Sequence, residues 1–346
     1  MFLCGNFTVF AQETSHEQSD KLDVNALILE HVGDAYEWHI TAFGHTPVSI
    51  PLPVIVKGQA SGWHVFSSSK FHHGHDSYLG FSIAEEGEYK GKIVETLSNG
   101  TQIRPWDFSL TKNAVALLMS VVILIVVILS CASWYKKRIG KPEKSSPKGF
   151  IAFMEMTIMS IVDDVIKPCI GKNYKRYTPY LLTVFFFIIV NNFIGLIPIF
   201  PGGANVTGNI AITFTLAMFT FVIVNIFGTK EYWREIFWPD VPVWLKIPPI
   251  IPIIELIGIF TKPFALMVRL FANILAGHSI VLGLVSIVFL TVAMGALGNG
   301  LMSGFSVIMT VFINFIELLV AYVQAYVFTM LSAVFIGLSQ VEPHHR

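Results

Sequence analysis

The chain contains 346 residues, of which 53% are hydrophobic and 13% are charged, and its formal net charge at pH 7 is zero. This composition favours a membrane protein with several spans and argues against a soluble domain. The zero net charge by itself identifies no partner. Three scattered cysteines, Cys4, Cys131 and Cys169, indicate neither a disulfide framework nor a metal cluster.

The first 12 residues, MFLCGNFTVFAQ, include Val9-Phe10-Ala11, which has the small-residue spacing of a signal-peptidase site. The apolar part is short and lacks a basic start. We therefore interpret residues 1–12 either as the remnant of a signal peptide or as an apolar tail. The signal interpretation agrees with an N-terminus outside the cytoplasm.

Residues 13–112 differ in composition, with thirteen Asp or Glu and eight of the eleven histidines. Residues 36–42 (YEWHITA) alternate apolar and polar side chains, which is typical of a half-buried strand. Further short strand candidates, separated by Gly and Pro, are residues 47–56, 63–67 and 78–83. We predict a small β-rich domain outside the membrane.

Aromatic side chains at Trp38, Trp63 and Phe81 are predicted to form a modest core in this domain. The histidine-rich segment 71–76 (FHHGHD) could bind a metal ion. However, no second cluster of ligands has a recognisable spacing, so we favour an exposed polar turn and predict no metal site.

A membrane domain is predicted over residues 113–340, and its first span covers residues 113–134. About 22 uncharged residues suffice to cross a bilayer. Residues 136–176 then hold ten Lys or Arg, whereas residues 198–208 and 293–304 hold none. The positive-inside rule therefore places the basic segment in the cytoplasm and the N-terminal domain outside it. With five spans in all, the C-terminus is then cytoplasmic.

The middle of the chain is predicted to contain one helix in the membrane plane and two spans. Residues 150–166 are apolar but carry three carboxylates and end at Pro168 and Gly171, which favours an amphipathic helix at the interface. A buried helix of the soluble type is the alternative. Residues 180–197 and 209–227 are the second and third spans, and tryptophans at 233, 238 and 244 mark a membrane–water boundary.

Two very long apolar segments follow, residues 251–291 and 305–339. A helix of 35 residues reaches roughly 50 Å against a hydrocarbon core of about 30 Å, so such helices must tilt or bend. Between Lys262 and Glu342 the only formally charged residues are Arg269 and Glu317. An arginine in hydrocarbon costs at least about 2.5 kcal/mol, which makes these two residues candidates for function.

A hairpin of these two helices would bring particular side chains to the same depth. With a turn at residues 295–300, His278 lies level with Glu317 and Arg269 lies level with Gln324. Asn273 is one helical turn beyond Arg269 and shares its face. From Arg269 to His278 the helix rises roughly 13 Å. One layer therefore holds a fixed cation and an amide, and the other holds two groups that can pass a proton.

These residues carry a family resemblance. The segment 269–277 (RLFANILAG), followed by Glu317 and residues 321–325 (AYVQA), resembles subunit a of the F-type ATP synthase, and the likeness extends over about residues 110–340. It implies an all-α polytopic fold with five transmembrane helices, an in-plane amphipathic helix and a long tilted hairpin formed by the last two helices. The small β-rich domain lies outside the part that the resemblance covers.

The resemblance also implies a function and a location. The chain would be the static half of a proton channel in the bacterial inner membrane, facing a rotating ring of c subunits. Its other partners would be the b subunits of the peripheral stalk, further ATP synthase subunits and the lipid bilayer. No nucleotide-binding glycine loop is visible, so catalysis would belong to partner subunits. No cofactor and no nucleic acid is implied, and proton transport is not distinguished from sodium transport.

Specific roles follow from the same resemblance. Arg269 would attract the ionised carboxylate of each c subunit and block direct proton flow between two half-channels. His278 and Glu317 would form the outer relay, with the two residue types exchanged relative to many relatives. A purely structural pair is the alternative. Asn273 and Gln324 would hold the guanidinium or order water, or would simply join the two helices.

The end of the second span departs from the pattern of some relatives. They carry a carboxylate where this chain has Gly195, so water or Asn192 would have to serve instead.

A secondary transporter with an Arg and a Glu at the membrane midplane is the alternative function. We find no convincing internal repeat of the kind that such transporters usually contain.

Overall fold

The computed structural model describes residues 33–43, 46–59, 62–74, 76–84, 87–97, 100–137, 146–197, 202–237, 250–291 and 295–340. Residues 1–12, and with them the proposed signal segment, lie outside the described residues, as do Trp238 and Trp244. The described part consists of a region of short strands followed by a long helical region.

The N-terminal region contains three small antiparallel sheets, with strand orders β1-β2, β4-β3-β8 and β5-β6-β7. The eight strands are β1 Glu37–Phe43, β2 Thr46–Pro51, β3 Pro53–Gly58, β4 Gly62–Ser67, β5 Phe81–Ile83, β6 Ile93–Thr96, β7 Gln102–Ile103 and β8 Trp106–Asp107. The predicted strand over 47–56 is divided in two at Leu52. Residues 68–74, which include the first four residues of the histidine-rich segment, form a 3-10 helix.

The core of this region lies between the second and third sheets and includes Val54, Val56, Phe71, Phe81 and Ile93. The predicted burial of Phe81 is confirmed. The predicted burial of Trp63 is wrong, because its side chain is 59% exposed on the opposite face of β4.

The strand region is attached directly to the helical region. Trp38 is buried as predicted, but it packs against Ala116, Ala204 and Val206 of the helical region. Nearby, the Tyr36 hydroxyl donates a hydrogen bond to the Asp107 carboxylate. Burial and this carboxylate together raise the pKa of Tyr36 above its ordinary value.

The helical region contains eight α-helices among the described residues. They are α1 Lys112–Lys136, α2 Phe150–Ser160, α3 Lys167–Ile170, α4 Tyr174–Leu196, α5 Ile210–Ile226, α6 Lys230–Phe237, α7 Ile250–Leu290 and α8 Gly295–Ser339. Four described helical stretches are long and apolar enough to cross a membrane: 112–136, 150–196, 252–288 and 297–339. In addition, α5 and α6 form a pair bent by 96°.

The stretch from 150 to 196 is irregular where Pro168 and Gly171 predicted a break. A π-helical segment covers Ile161–Ile166, and a 3-10 turn covers Gly171–Asn173. Gly171 has a φ of +73°, a backbone conformation that favours glycine. The helix direction can therefore change here.

The hairpin of α7 and α8 turns earlier than predicted. Gly295 already begins α8, so the prediction of a turn over residues 295–300 is wrong. Thr291 donates a hydrogen bond of 2.9 Å to the side-chain oxygen of Asn299, which closes the connection between the two helices.

The helices are also not paired at constant register. The hydroxyl of Ser306 bonds the carbonyl of Leu284, and the amide of Asn273 bonds Gln324. From Leu284 to Asn273 is 11 residues of α7, whereas from Ser306 to Gln324 is 18 residues of α8. The equal-depth rule assumes equal spacing of contacts along both helices, and these two contacts do not have it.

Gly337 of α8 allows that helix to pack closely against α3. A Cβ atom at this position would overlap the carbonyl oxygen of Cys169. We predict that Gly337→Ala lowers the free energy of unfolding by about 1–3 kcal/mol, because the backbone of one helix must move. Thermal unfolding of the purified protein in detergent measures this change.

Gly300→Ala is the matched control in the same helix, because a Cβ atom at position 300 would meet no other atom within 4 Å. Alanine is the better helix former, so we expect an unchanged or slightly raised unfolding temperature. Equal unfolding temperatures for the two variants would contradict the proposed close approach.

Candidate functional site

Arg269 projects from the middle of α7, about 20 residues from either end. Its side chain is exposed on the surface of the chain, as are those of Phe264, Val268 and Asn273 along the same face. Within the described part of the chain, Arg269 has no hydrogen-bond or ion-pair partner. A guanidinium in a membrane helix is costly without an anion or a polar group beside it, and the described residues supply neither to Arg269.

One turn further along α7, Asn273 meets Gln324. The Asn273 amide nitrogen donates a hydrogen bond of 2.8 Å to the Gln324 side-chain oxygen. Gln324 therefore pairs with Asn273. Its predicted neighbour Arg269 lies one helical turn away on the same helix as Asn273. The amide nitrogen of Gln324 is buried and has no hydrogen-bond partner in the described part of the molecule. It remains available to a water molecule or to an incoming group.

His278 and Glu317 are brought together, as the hairpin geometry predicted. The His278 Nδ1 atom lies 3.8 Å from Oε1 of Glu317, which is within ion-pair range and beyond a direct hydrogen bond. The Glu317 side chain is only 7% exposed, and that of His278 is 22% exposed. One bridging water or a small side-chain rotation would complete a path for a proton.

Glycine at position 277 makes room for this carboxylate. A Cβ atom there would lie 2.6 Å from Oε1 and 3.0 Å from Cδ of Glu317. Gly195, at the end of α4, lies on the other side of the His278 imidazole. Its Cβ position lies 3.9 Å from Nε2 of His278. A carboxylate at position 195, as some relatives have, would therefore approach the same histidine.

A cavity of about 260 Å³ adjoins the pair, which is room for several water molecules. Besides His278 and Glu317, polar side chains at Asn205 and Asn314 line it. The Asn205 amide nitrogen is buried without a hydrogen-bond partner in the described residues. Sequence reasoning had no basis for selecting Asn205 or Asn314, because an isolated asparagine carries no spacing signal.

Asn192 does not line this cavity. Its amide nitrogen donates to the carbonyl of Ala321 at 3.2 Å, and its oxygen accepts from Thr207 at 2.7 Å. This buried side chain joins α4 to α8 and to the connection before α5. Both ends of the amide are engaged, so the geometry gives Asn192 a structural role and does not favour the suggested proton role.

No group of three or more His, Cys, Asp or Glu that could hold a metal ion occurs among the described residues. In the histidine-rich segment, His72 lies 3.9 Å from Asp76, and both side chains are exposed. His75 lies outside the described residues.

Comparison with known proteins assigns the helical region to a known family. Residues 115–337 match the family described as ATP synthase A chain, and residues 27–108 match a domain of unknown function, DUF8433. ATP synthase subunit a of Chlorobium phaeobacteroides is 42% identical over 252 residues, covering 69% of this chain and 68% of that protein.

Two other relatives share the name ATP synthase subunit a. The protein of Chloroherpeton thalassium is 38% identical over 250 residues, covering 70% of each chain. The protein of Anaeromyxobacter dehalogenans is 37% identical over 265 residues, covering 73% of this chain and 63% of that protein.

The contact of Gly277 with Glu317 predicts the effect of one methyl group. We expect Gly277→Ala to lower the unfolding temperature in detergent, because the new Cβ displaces the buried carboxylate. Adding Glu317→Asp, whose shorter side chain withdraws from α7, should restore part of that loss. Gly283→Ala is the control on the same helix, since its Cβ position meets no atom within 4 Å. A Gly277→Ala variant as stable as the control would contradict the contact.

Proposed function

The chain belongs to the ATP synthase A chain family, and we propose that its Arg269 is the fixed cation past which the carboxylates of the c-subunit ring move. In this family the chain is the stator subunit of the F-type ATP synthase proton channel. The observation that carries the role of Arg269 is its exposed position at mid-height of α7 without a partner in the described residues.

The proposed role rests on the chemistry of the guanidinium. Arginine stays protonated at any relevant pH, so it is a permanent positive charge. A carboxylate that arrives opposite it is stabilised in the ionised form and releases its proton. The same charge repels a proton that would pass directly from one half-channel to the other. Protons then cross only when the ring carries them around, which couples their flow to rotation.

We assign the outer half-channel to the cavity beside His278 and Glu317. Its wall includes Gly203 and Asn205, which adjoin residues that pack against Trp38 of the N-terminal region. The cavity is therefore at the same end of the molecule as that region. A proton entering there would reach the imidazole and the carboxylate first. Arg269, opposite which the ring carboxylate would stand, is roughly 13 Å from His278 along α7.

Asn273 and Gln324 lie between the level of Arg269 and the level of His278 and Glu317. Their hydrogen bond holds the Asn273 amide on the face that Arg269 shares. We propose that the free amide nitrogen of Gln324 orders a water molecule or contacts the guanidinium. Gln324 can have this role and also join the two helices, because its side-chain oxygen bonds Asn273 while its amide nitrogen stays available.

We propose five spans, α1, α4, α5, α7 and α8, with α2 in the plane of the membrane. Four side chains along α2 form an exposed apolar stripe at intervals of three residues: Phe150, Phe153, Met156 and Met159. Such a stripe fits a helix lying on the bilayer. The ten Lys or Arg between 136 and 176 support a cytoplasmic location for α2 and the C-terminus, and a periplasmic N-terminal region, in the bacterial inner membrane.

Membership of the family implies other ATP synthase subunits as partners. Among them we propose the c-subunit ring against the face of Arg269 and the peripheral-stalk b subunits elsewhere on the chain. The alternative of an ion-coupled secondary transporter is not favoured, since the relatives are subunits of ATP synthase.

Arg269→Ala tests the central assignment. We expect the loss of ATP-driven proton pumping in membrane vesicles, because the carboxylates of the ring no longer meet a fixed cation. ATP hydrolysis by the detached soluble sector should persist. Val268→Ala, an exposed neighbour on the same helix, is the control and should retain pumping. Coupled pumping by Arg269→Ala would refute the assignment.

Exchange of the relay residues tests the role of the outer pair. We expect His278→Ala to reduce pumping by about 100-fold or more, the range for loss of a proton-transfer group. The double variant His278→Glu with Glu317→His keeps one imidazole and one carboxylate and should recover much of the rate. Ser279→Ala serves as the control, because the one hydrogen bond of that hydroxyl to the described residues is to the carbonyl of Leu275. If His278→Ala pumps normally, the histidine is not in the relay.

A further inference from the structure

The sheet formed by β4, β3 and β8 carries a cluster of large apolar side chains on its outward face. We call the cluster of Trp63, Val65, Trp106 and Phe108 the aromatic patch. Each of these side chains is more than half exposed. In the same strands, Val54, Val56 and Phe66 face the opposite side and contribute to the core.

The aromatic patch is one continuous surface. The ring centroids of Trp63 and Phe108 are 5.7 Å apart, and Trp106 stacks on Phe108 at 6.5 Å. The ammonium group of Lys57 lies 5.7 Å from the centre of the Trp63 ring. A contiguous apolar surface with a cation at its edge is unusual in water and indicates an interaction site.

The chain places this surface next to the membrane. Phe108 precedes Thr111, the N-cap of α1, by three residues, so the two Cα atoms are within about 11 Å. The headgroup layer is roughly 5–7 Å thick on each side of the hydrocarbon core. The Phe108 edge of the aromatic patch therefore lies no more than a few ångström beyond the lipid headgroups at this end of the first span.

Contacts with the helical region limit movement of the sheet away from the bilayer. The carbonyl of Ala35 accepts a hydrogen bond of 2.8 Å from the backbone of Lys112. The Asp34 carboxylate accepts one of 3.1 Å from the backbone of Asn113. Together with Trp38 packed on Ala116, these contacts fasten the region to the first turns of α1.

We propose that the aromatic patch inserts into the headgroup layer of the adjoining leaflet and holds the N-terminal region on the lipid surface. Tryptophan has an apolar ring and a polar N–H group, and it concentrates at this boundary. Lys57 at the edge of the patch would bind lipid phosphate. The anchored region also contacts Ala204 and Val206, on either side of the cavity residue Asn205. The lipid contact would thus steady one wall of that cavity.

A single-label measurement on the full chain in lipid nanodiscs tests this contact. Its native cysteines are first replaced (Cys4→Ser, Cys131→Ser and Cys169→Ser), and a fluorophore is attached at Val65→Cys. Lipids that carry a nitroxide on the headgroup should quench this label several-fold more strongly than a label at Leu79→Cys. Leu79 is the matched control because it is exposed, and its neighbour Tyr78 packs on Phe66, on the other face of the sheet.

A second variant separates a lipid contact from general proximity. Trp106→Ser with Phe108→Ser leaves the labelled site intact but removes most of the aromatic surface, and it should lower the quenching at position 65 to that of the control. Equal quenching at positions 65 and 79 in the unmodified patch would overturn the proposal. Shielding of the Val65→Cys label only after assembly with other subunits would also overturn it, in favour of a protein partner. The test does not depend on the proton path, since the chain is measured alone.

Discussion

The cost of placing a charge in hydrocarbon governs the arrangement of this molecule. Arg269 lies exposed at mid-height of a helix that crosses the membrane, and the described residues offer it neither an anion nor a hydrogen-bond acceptor. Glu317, the other charged residue between Lys262 and Glu342, is buried beside an imidazole. Of these two residues, the carboxylate is thus buried and the cation is exposed. This separation leaves the cation available to acidic groups of a neighbour.

Burial of the carboxylate depends on residues with no side chain. Gly277 leaves the space that Glu317 occupies, and Gly195 leaves the space in front of His278. Gly337 lets α8 pass against the backbone of Cys169 in α3. Close helix contact through small residues is the usual way to pack helices in a bilayer, where apolar burial gives little driving force. Gly195 also lines the cavity beside His278 and Glu317.

The N-terminal region and the cavity beside His278 are connected through a short piece of chain. Ala204 and Val206 pack on Trp38, and Asn205 between them lines the cavity beside His278. A region that matches a domain of unknown function therefore supports a wall of the cavity beside His278, which lies in the part of the chain that matches the ATP synthase A chain family. The aromatic face of the same region is where we place its contact with lipid.

The sequence by itself determined the apolar segments, the position of the isolated Arg269, the family, and the pairing of His278 with Glu317. These features follow from composition, from motifs and from the number of residues along a helix. The tertiary structure decided where the hairpin turns, that Gln324 meets Asn273, and that Asn205 and Asn314 line the cavity. It also decided that Trp63 faces outward. Residue spacing measures distance along a helix or strand, but the crossing of two helices and the face that a sheet buries depend on contacts between distant segments.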